Sequence, residues 1–227
     1  MPQVEAETEP ARSAKWHQRR QSIIDLSAKI IAQRGYHATS TVELSEANKL
    51  GKGALYYYIG SKEKLLVAIH DRVMDEVLAG AERVAEAGGT PPEQLTMLGA
   101  ELLDVIARYP DHVWVFLHEF PAFTGENAVQ FRTRRREYER HVEGVLEAGV
   151  ASGDFRPVDP KLTARAWLGM HNYTYLWLKA GGRLPASKVA ASFADIFIGG
   201  IAGSRRPAAA PKASAGRANG ATRRRAT

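Results

Sequence analysis

The chain has 227 residues, a length that predicts one or two domains with enough residues to bury a hydrophobic core. It contains no cysteine, which excludes disulfide bonds and thiol catalysis and fits the reducing cytoplasm. No apolar run reaches the length of a membrane helix, and the first residues lack the pattern of a secretion signal. We therefore expect a cytoplasmic protein that does not enter a membrane.

The formal net charge of +6 is distributed unevenly along the chain. Residues 12–64 carry ten basic and four acidic side chains, whereas residues 65–203 carry fourteen basic and eighteen acidic ones. Residues 204–227 contain seven Lys and Arg and no acidic side chain. This distribution is typical of a basic DNA-binding segment attached to a body that does not bind DNA.

Both ends of the chain are predicted to be disordered because they lack large apolar side chains. These are an N-terminal arm at 1–13 and a basic tail at 204–227. Two interpretations of the tail are open. It either adds non-specific DNA affinity through counterion release, or it is an inert solubilising extension.

Between these ends the spacing of apolar residues predicts an all-α fold of about nine helices. A long helix from residue 65 ends near residue 87 at Gly88-Gly89, and Pro110 begins a later helix that Pro121 breaks. Further helices are predicted from Pro91, at 127–150, at 160–180 and at 185–202. We expect residues 14–66 to form a DNA-binding head and residues 67–203 to form a ligand-binding and dimerisation body.

The segment from residue 40 to 66 has the pattern of a helix-turn-helix, which places its second helix in the DNA major groove. Ser40 is a helix cap and Glu43 follows three positions later, as in a capping box. Asn48-Lys49 then interrupts the helix, because Asn tolerates a left-handed turn.

The second short helix begins with small residues, which allow close approach to DNA, and continues with three consecutive tyrosines. Tyr57, Tyr58 and Lys62 are expected to contact the phosphate backbone, since hydroxyl groups and cations bind phosphate. The start of the helix is expected to lie nearest the base edges. The full predicted DNA-binding set is Ser40, Thr41, Lys52, Gly53, Ala54, Tyr56, Tyr57, Tyr58 and Lys62.

Residues 52–66, KGALYYYIGSKEKLL, closely resemble the signature of the tetracycline-repressor (TetR-type) family of bacterial regulators. The apolar residues at 23, 24, 28 and 31 and the segment 34–40, RGYHATS, match that family's first helix and its exit. The chain departs from the family pattern at four places: Asn48-Lys49 replaces Ala-Gly, Gly51 replaces Ser or Thr, Ala54 replaces Thr, and Ile59 replaces Phe.

The resemblance also implies that the last two helices pair with those of a second copy to form a four-helix dimer interface. A two-fold dimer would place two recognition helices on the half-sites of a palindromic operator, about 34–36 Å apart or a multiple of that distance. The alternative is that both apolar stripes face the chain's own core. The residues predicted for the interface are Thr174, Val189, Phe193, Ile196, Phe197 and Gly200.

An aromatic-rich middle region is the candidate effector pocket, because pockets between helices are mainly apolar. Segments at 153–156, 175–177, 181–184 and 198–201 resemble the ligand domains of fatty-acid and steroid catabolism repressors, whose relatives sense acyl-CoA thioesters. The arginines at 132 and 134–136 either meet CoA phosphates or form a solvated face paired with Glu137, Glu139 and Glu143. The predicted pocket residues are Trp114, Leu117, Phe120, Phe123, Phe131, Trp167, Met170, His171 and Trp177.

The alternative function classes have weak support in the sequence. Nucleophile-elbow, Walker and zinc-binding motifs are absent, and His112 and His118 are too far apart on a helix to share a metal. We therefore expect no catalytic residue, no cofactor and no metal.

The prediction is a dimeric, DNA-binding transcriptional regulator at the bacterial nucleoid. We expect a repressor that leaves a palindromic operator when a small apolar effector binds. Acyl-CoA and steroid-CoA thioesters are the candidate effectors. The alternatives are an architectural DNA-binding protein without an effector and a helical-bundle enzyme. An architectural protein would show weak sequence preference and a steep salt dependence.

Overall fold

The computed structural model describes residues 13–203, so the predictions for residues 1–12 and for the tail at 204–227 lie outside the described residues. The described part is all-α, as predicted, with nine α-helices and two short 3₁₀ segments. The helices are α1 (Ala14–Arg34), α2 (Thr41–Ala47), α3 (Lys52–Ile59), α4 (Lys62–Ala87), α5 (Pro91–Arg108), α6 (Pro110–His118), α7 (Gly125–Ser152), α8 (Pro160–Asn172) and α9 (Ala186–Ile201). The 3₁₀ segments are Phe120–Ala122 and Tyr173–Leu176.

The helix α8 is shorter than predicted, because it ends at Asn172 and not at residue 180. The hydroxyl of Thr174 donates a 2.7 Å hydrogen bond to the carbonyl oxygen of His171. The amides of Trp177 and Leu178 both donate to the carbonyl oxygen of Thr174, so the chain tightens into a turn after α8. The predicted long helix therefore becomes a helix followed by a 3₁₀ segment.

Side-chain caps determine where the helices of the head begin. The predicted capping box of α2 is present, since Ser40 Oγ accepts from the Glu43 amide and Glu43 accepts from the Ser40 amide. The hydrogen bond from the Ser40 amide lowers the pKa of the Glu43 carboxyl. Ser61 caps α4 by accepting from the Lys64 amide at 3.0 Å. These caps satisfy amides that a helix start leaves without partners.

Two apolar clusters form the core. The body cluster is built from α4 to α9 and includes buried residues such as Leu102, Leu103 and Trp167. The head cluster combines residues of α1 to α4, such as Ile23, Leu55 and Leu66, with three residues from the body segment of the sequence. These three are Val115, Phe123 and Phe131.

The predicted boundary between residues 66 and 67 lies inside α4, which continues without a break from Lys62 to Ala87. Together with the shared head cluster, this continuity means that the body supports the head by packing as well as by a covalent connection. None of the helices between residues 13 and 203 combines the length and apolar character that crossing a membrane requires.

Candidate DNA-binding surface and effector cavity

The N-terminal end of α3 is exposed to solvent. Lys52, Gly53 and Ala54 are all exposed, whereas Leu55 and Ile59 of the same helix are buried in the head cluster. Tyr57 is 60% exposed. Because buried and exposed positions separate in this way, α3 presents its first turn and Tyr57 outward, as the recognition helix of a helix-turn-helix must.

The three consecutive tyrosines have three different environments. The Tyr56 hydroxyl lies 3.4 Å from Thr41 Oγ1, which joins α3 to α2. The ring of Tyr58 is half-buried and stacks on Trp16 of α1 with 5.8 Å between ring centroids. Tyr58 therefore contributes to the packing of α1 against α3, whereas Tyr57 is exposed, and the phosphate contacts of both tyrosines stay predictions.

Lys62, predicted to bind phosphate, lies at the start of α4 with its ammonium 4.3 Å from the ring centroid of Tyr36. Burial lowers the pKa of Lys62, while the carboxylates of Glu119 and Glu43 oppose this shift. Lys62 is therefore half-buried and in contact with the chain's own groups, in contrast to the exposed Lys52. Ser40, also predicted to bind DNA, is exposed but serves as the cap of α2.

The body contains an internal cavity of about 40 Å³ between α4, α5, α6, α7 and α8. Most of its wall is aliphatic, and the polar groups come from α7 and α8. The lining residues are Val73, Met74, Val77, Leu102, Val105, Ile106, Val113, Phe116, Leu117, Arg135, Tyr138, Glu139, Leu168 and Asn172. Of the nine predicted pocket residues, Leu117 lines this cavity.

The other predicted pocket residues lie elsewhere. Trp167 and His171 are buried in the body core against Gly99, where a larger residue would overlap the imidazole ring. Trp114 stacks on His118, and Trp177 is exposed beside Phe193. Met170 is half-buried on α8 and does not line the cavity. These five residues do not line the cavity, because aromatic side chains pack into a dense core as readily as they line a pocket.

Three predicted residues line a separate groove on the surface near the head. Phe120, Phe123 and Phe131 form its apolar side, together with Pro121 and Ala128. Its polar side consists of Arg132, Arg135, Arg136 and Glu139, and the groove volume is about 580 Å³. Arg135 and Glu139 line both this groove and the internal cavity, so the two spaces meet at these side chains.

Most of the predicted arginine cluster is engaged in ion pairs. Arg134 bridges Asp71 and Asp75 of α4, at 2.7 and 2.5 Å. The guanidinium of Arg136 pairs with Glu143 through two hydrogen bonds of 2.6 and 2.7 Å, which lowers the pKa of that carboxyl. Arg135 approaches Glu139 only to 3.5 Å. The predicted pairing with Glu139 and Glu143 is therefore present, and for Glu137 no ion pair occurs within residues 13–203.

His70 of α4 lies in an aromatic box behind the groove, in contact with Phe116, Phe123 and Phe131. Its Nδ1 lies 2.9 Å from the carbonyl oxygen of Leu66, and no hydrogen-bonding group of the described residues reaches its Nε2. Burial lowers the pKa of His70 to about 4. The neutral imidazole therefore behaves as part of the apolar packing between head and body.

The helix α6 connects the cavity with the head. Phe116 and Leu117 of this helix line the cavity. The preceding residue, Val115, is buried in the head cluster. After α6 ends, the carboxylate of Glu119 accepts a 3.0 Å hydrogen bond from the Tyr36 amide at the exit of α1. His112 approaches Asp25 of α1 to 3.2 Å. A displacement of α6 would therefore act on α1 at two points.

The residues predicted for the dimer interface differ in exposure. Ile196 is 67% exposed and Gly200 is exposed, whereas Phe193 and Phe197 are partly buried against the body core. Thr174 and Val189 are buried within the chain itself, Thr174 because its hydroxyl closes the turn after α8. Thr174 and Val189 therefore belong to the chain's own core, which is the alternative stated for the two apolar stripes.

Several residues of the site were not anticipated from the sequence. One is Tyr138 of the cavity wall, which shares one face of α7 with Arg135 and Glu139, both already named in the sequence analysis. Helical spacing was a usable signal for this face. Glu119 carried no signal, because its partner is a backbone amide distant in the sequence.

Comparison with known proteins identifies the family of this chain. Residues 23–69 match the family model described as bacterial regulatory proteins, tetR family, and residues 88–201 match the tetracyclin repressor-like C-terminal domain. A similar relative is the HTH-type transcriptional repressor KstR2 of Mycolicibacterium smegmatis, with 28% identity over 81% of this chain and 90% of the relative.

Two solved structures show the same similarity. The TetR family regulator PfmR of Thermus thermophilus is 30% identical with a TM-score of 0.72, covering 78% of this chain and 96% of its own. AibR, in complex with isovaleryl coenzyme A and operator DNA, is 32% identical with a TM-score of 0.69, covering 78% and 97%. KstR2 is named as a transcriptional repressor and PfmR as a transcriptional regulator. The chain therefore belongs to the TetR family of bacterial regulatory proteins, and it is a DNA-binding transcriptional regulator with a helix-turn-helix head.

Proposed function

We propose that this chain is a homodimeric repressor that leaves a palindromic operator at the nucleoid when an acyl-CoA thioester binds its body. The observation that carries the proposal is the junction of an apolar cavity with an arginine-lined groove at Arg135 and Glu139. An acyl-CoA has the same two parts in its structure: an apolar acyl group, which suits the cavity, and phosphates at the other end, which suit the arginines of the groove. Guanidinium groups match phosphate geometry and bind it through paired hydrogen bonds.

The comparisons support this effector class. AibR, at 32% identity, was solved with isovaleryl coenzyme A and operator DNA bound together. KstR2 of Mycolicibacterium smegmatis, which aligns over 81% of this chain, carries the name of a transcriptional repressor. Their similarity extends over most of the head and the body, so both the DNA-binding and the effector-binding parts of the proposal have a counterpart.

The exposed apolar residues of α8, α9 and the segment between them support dimerisation. Leu162, Tyr173, Leu176 and Ile196 are each more than half exposed in the single chain. Large apolar patches of this kind mark interaction surfaces. A second copy related by a two-fold axis would cover the same patch on both chains and would position two heads for the half-sites of one operator.

The contacts of α6 support a route from effector to DNA. An effector that pushes Phe116 or Leu117 outward moves α6, and α6 holds the exit of α1 through Glu119 and the middle of α1 through His112. The helix α4 would then pivot after Ser61, and the two heads would lose their half-site spacing. Covalent cross-linking of the heads at fixed spacing should abolish the response to effector, and persistent release from DNA would contradict this mechanism.

The DNA-binding part is tested by fluorescence anisotropy with labelled DNA from the chain's own upstream region and a scrambled duplex of equal length. The repressor predicts binding to the upstream DNA that exceeds binding to the scrambled duplex by about 10³-fold or more at physiological salt. An architectural protein predicts similar affinities for both duplexes and a steep loss of both with salt. Equal affinities would therefore reject the repressor in favour of the architectural class.

A further inference from the structure

We infer that the acyl group of the effector is short, with at most about four carbon atoms beyond its thioester carbonyl, and that the Arg135–Glu139 pair separates its chamber from the groove that holds the anionic carrier. This inference rests on the proposed function, because it specifies the size and placement of the proposed effector. It argues against a long fatty acyl chain or a steroid ring system as the group that the cavity recognises.

The volume of the cavity sets the size limit. A water-sized group needs about 10–15 Å³ of cavity volume, so the cavity of about 40 Å³ accommodates about three or four such groups. A short or branched acyl group fits this space with small adjustments of the surrounding side chains. A long chain would require many more groups than the cavity holds.

The wall of the cavity resists enlargement, because it belongs to the packed body core. Val105 and Ile106 of α5 and Val113 of α6 are almost completely buried, and they pack against other core residues behind the wall. Protein cores are packed as densely as organic crystals, and forcing additional groups into them displaces side chains and backbone. The softer side of the wall is α6 and α8, where Phe116, Leu117 and Leu168 are partly buried.

The Arg135–Glu139 pair is positioned to act as the gate between the two spaces. Its 3.5 Å separation is longer than an ordinary hydrogen bond, and the Arg135 side chain is 44% exposed. Glu139 also lies 3.3 Å from Arg136, so the carboxylate keeps a cationic partner when Arg135 turns away. Arg135 can therefore transfer to an anionic group of the effector without leaving an isolated charge behind.

The outer groove has the size and chemistry for the carrier. Its volume of about 580 Å³ is far larger than that of the inner cavity. Arg132 is exposed and has no ion-pair partner among the described residues, so it is available to phosphate together with Arg135. The exposed ring of Phe120 on the opposite side offers a surface on which a nucleobase can stack.

Isothermal titration calorimetry with the full-length protein and no DNA tests this inference. The probes are coenzyme A alone and the acetyl, isovaleryl, octanoyl and lauroyl thioesters, each below its aggregation concentration. We expect isovaleryl-CoA to bind at least about tenfold more tightly than coenzyme A and than lauroyl-CoA. Affinity that rises steadily to the lauroyl thioester would overturn the short-chain inference and leave the proposed acyl-CoA function standing. If no thioester binds, the proposed effector class is itself wrong, and the inference falls with it.

Variants at Leu117 and Arg135 test the roles of the chamber and the gate separately. Leu117→Ala enlarges the chamber and should shift the preferred acyl length upward, whereas Leu50→Ala, at a half-buried leucine of the head, should not. Arg135→Gln should weaken every thioester, and coenzyme A itself, by about tenfold without changing the order of acyl lengths. The control is Arg140→Gln, at an exposed arginine on the same helix. An unchanged acyl-length preference in Leu117→Ala, or equal affinities of the two arginine variants, would contradict the assignment, provided that thermal melting shows each variant folded.

Discussion

Arg19 of α1 donates a 2.8 Å hydrogen bond from Nη2 to the carbonyl oxygen of Asn48, in the turn between α2 and α3. The Asn48 side chain in turn donates to the carbonyl oxygen of Leu44 at 2.8 Å. The following residue, Lys49, has a φ of 55°, in the left-handed region that non-glycine residues rarely adopt. The turn that usually contains Ala-Gly in this family is thus formed here by hydrogen bonds that hold a lysine in an unfavourable conformation.

Replacing Lys49 with glycine should stabilise the protein. Glycine adopts positive φ without steric cost, and this gain exceeds the additional freedom of glycine in the unfolded chain. We expect Lys49→Gly to raise the free energy of unfolding by about 0.5 kcal/mol, measured by urea denaturation. Lys29→Gly, at an exposed position in the interior of α1, is the matched control and should lower it by about 0.5–1 kcal/mol. A destabilised Lys49→Gly variant would show that the turn does not carry this strain.

Tyr57 is the tyrosine best placed to contact DNA, because it is exposed on the open side of α3. We expect Tyr57→Phe to weaken binding by about tenfold on all DNA sequences alike, since a phosphate contact carries no sequence information. Anisotropy titrations on the operator and on single-base variants measure this effect. Tyr109→Phe, at a half-buried tyrosine of the body outside the proposed dimer surface, should bind DNA as the parent chain does. A changed base preference in Tyr57→Phe would instead place Tyr57 at the base edges.

Two glycines of α7 should respond in opposite ways to alanine. A Cβ at buried Gly149 would overlap the ring of Phe155, so Gly149→Ala should lower the free energy of unfolding by about 2–3 kcal/mol. A Cβ at exposed Gly144 would meet no atom within 4 Å, so Gly144→Ala should raise it by about 0.5–1 kcal/mol through helix propensity. Denaturant unfolding of the two variants decides the matter, and similar values for both would contradict the packing of α7 against residue 155.

The stability of the fold should fall as the pH drops below the ordinary pKa of histidine. Burial lowers the pKa of His70 to about 4, and burial likewise lowers that of His171 to about 4. Between about pH 6.5 and pH 4 the unfolded chain binds protons that the folded chain does not, so stability is complete above pH 6.5 and decreases toward pH 4. Each histidine should contribute a loss on the order of a few kcal/mol.

His70→Phe tests this dependence, because phenylalanine suits the aromatic box and does not titrate. Urea unfolding at pH 7 and pH 4.5 should show a smaller loss of stability in His70→Phe than in the parent chain. His37→Phe, at an exposed histidine of the head, controls for the introduced ring. An identical loss in His70→Phe and the parent chain would mean that His70 is not held neutral by burial.

The contact between Glu119 and the Tyr36 amide should transmit the effector signal to the head. Glu119→Ala removes the acceptor and frees the exit of α1 from α6, so the effector should bind with unchanged affinity but release DNA less completely. The measurement is the effector affinity with and without bound DNA, whose ratio defines the coupling. Glu126→Ala, at an exposed glutamate of α7, is the control. An unchanged coupling in Glu119→Ala would remove this contact from the route.

The sequence predicted the parts of the fold that depend on local signals. The capping box at Ser40, the glycines after α4 and the prolines at the starts of α5 and α6 all act within a few residues, and the helices begin and end near them. The predicted end of α8 was wrong because the Thr174 hydroxyl bonds to the carbonyl oxygen of His171 in place of a helical amide. Whether this hydrogen bond forms depends on the packing around Thr174.

The cavity of the body was harder to predict than the head, because it depends on which faces of five helices meet. Trp167 and His171 are as aromatic as a pocket requires, but packing against Gly99 fills the space beside them. The actual cavity is bounded by ordinary aliphatic residues that also resemble core. Its position follows from the arrangement of the helices, which no local pattern of residues determines.

The central claim is that effector binding in the body releases DNA from the head. The most direct measurement is a titration of the preformed complex of this protein and its upstream DNA with isovaleryl-CoA, followed by anisotropy, with coenzyme A as the parallel control. The account predicts loss of anisotropy to the value of free DNA with isovaleryl-CoA at concentrations where coenzyme A leaves the complex intact. Stable anisotropy at saturating isovaleryl-CoA, with binding of the thioester verified by calorimetry, would contradict it.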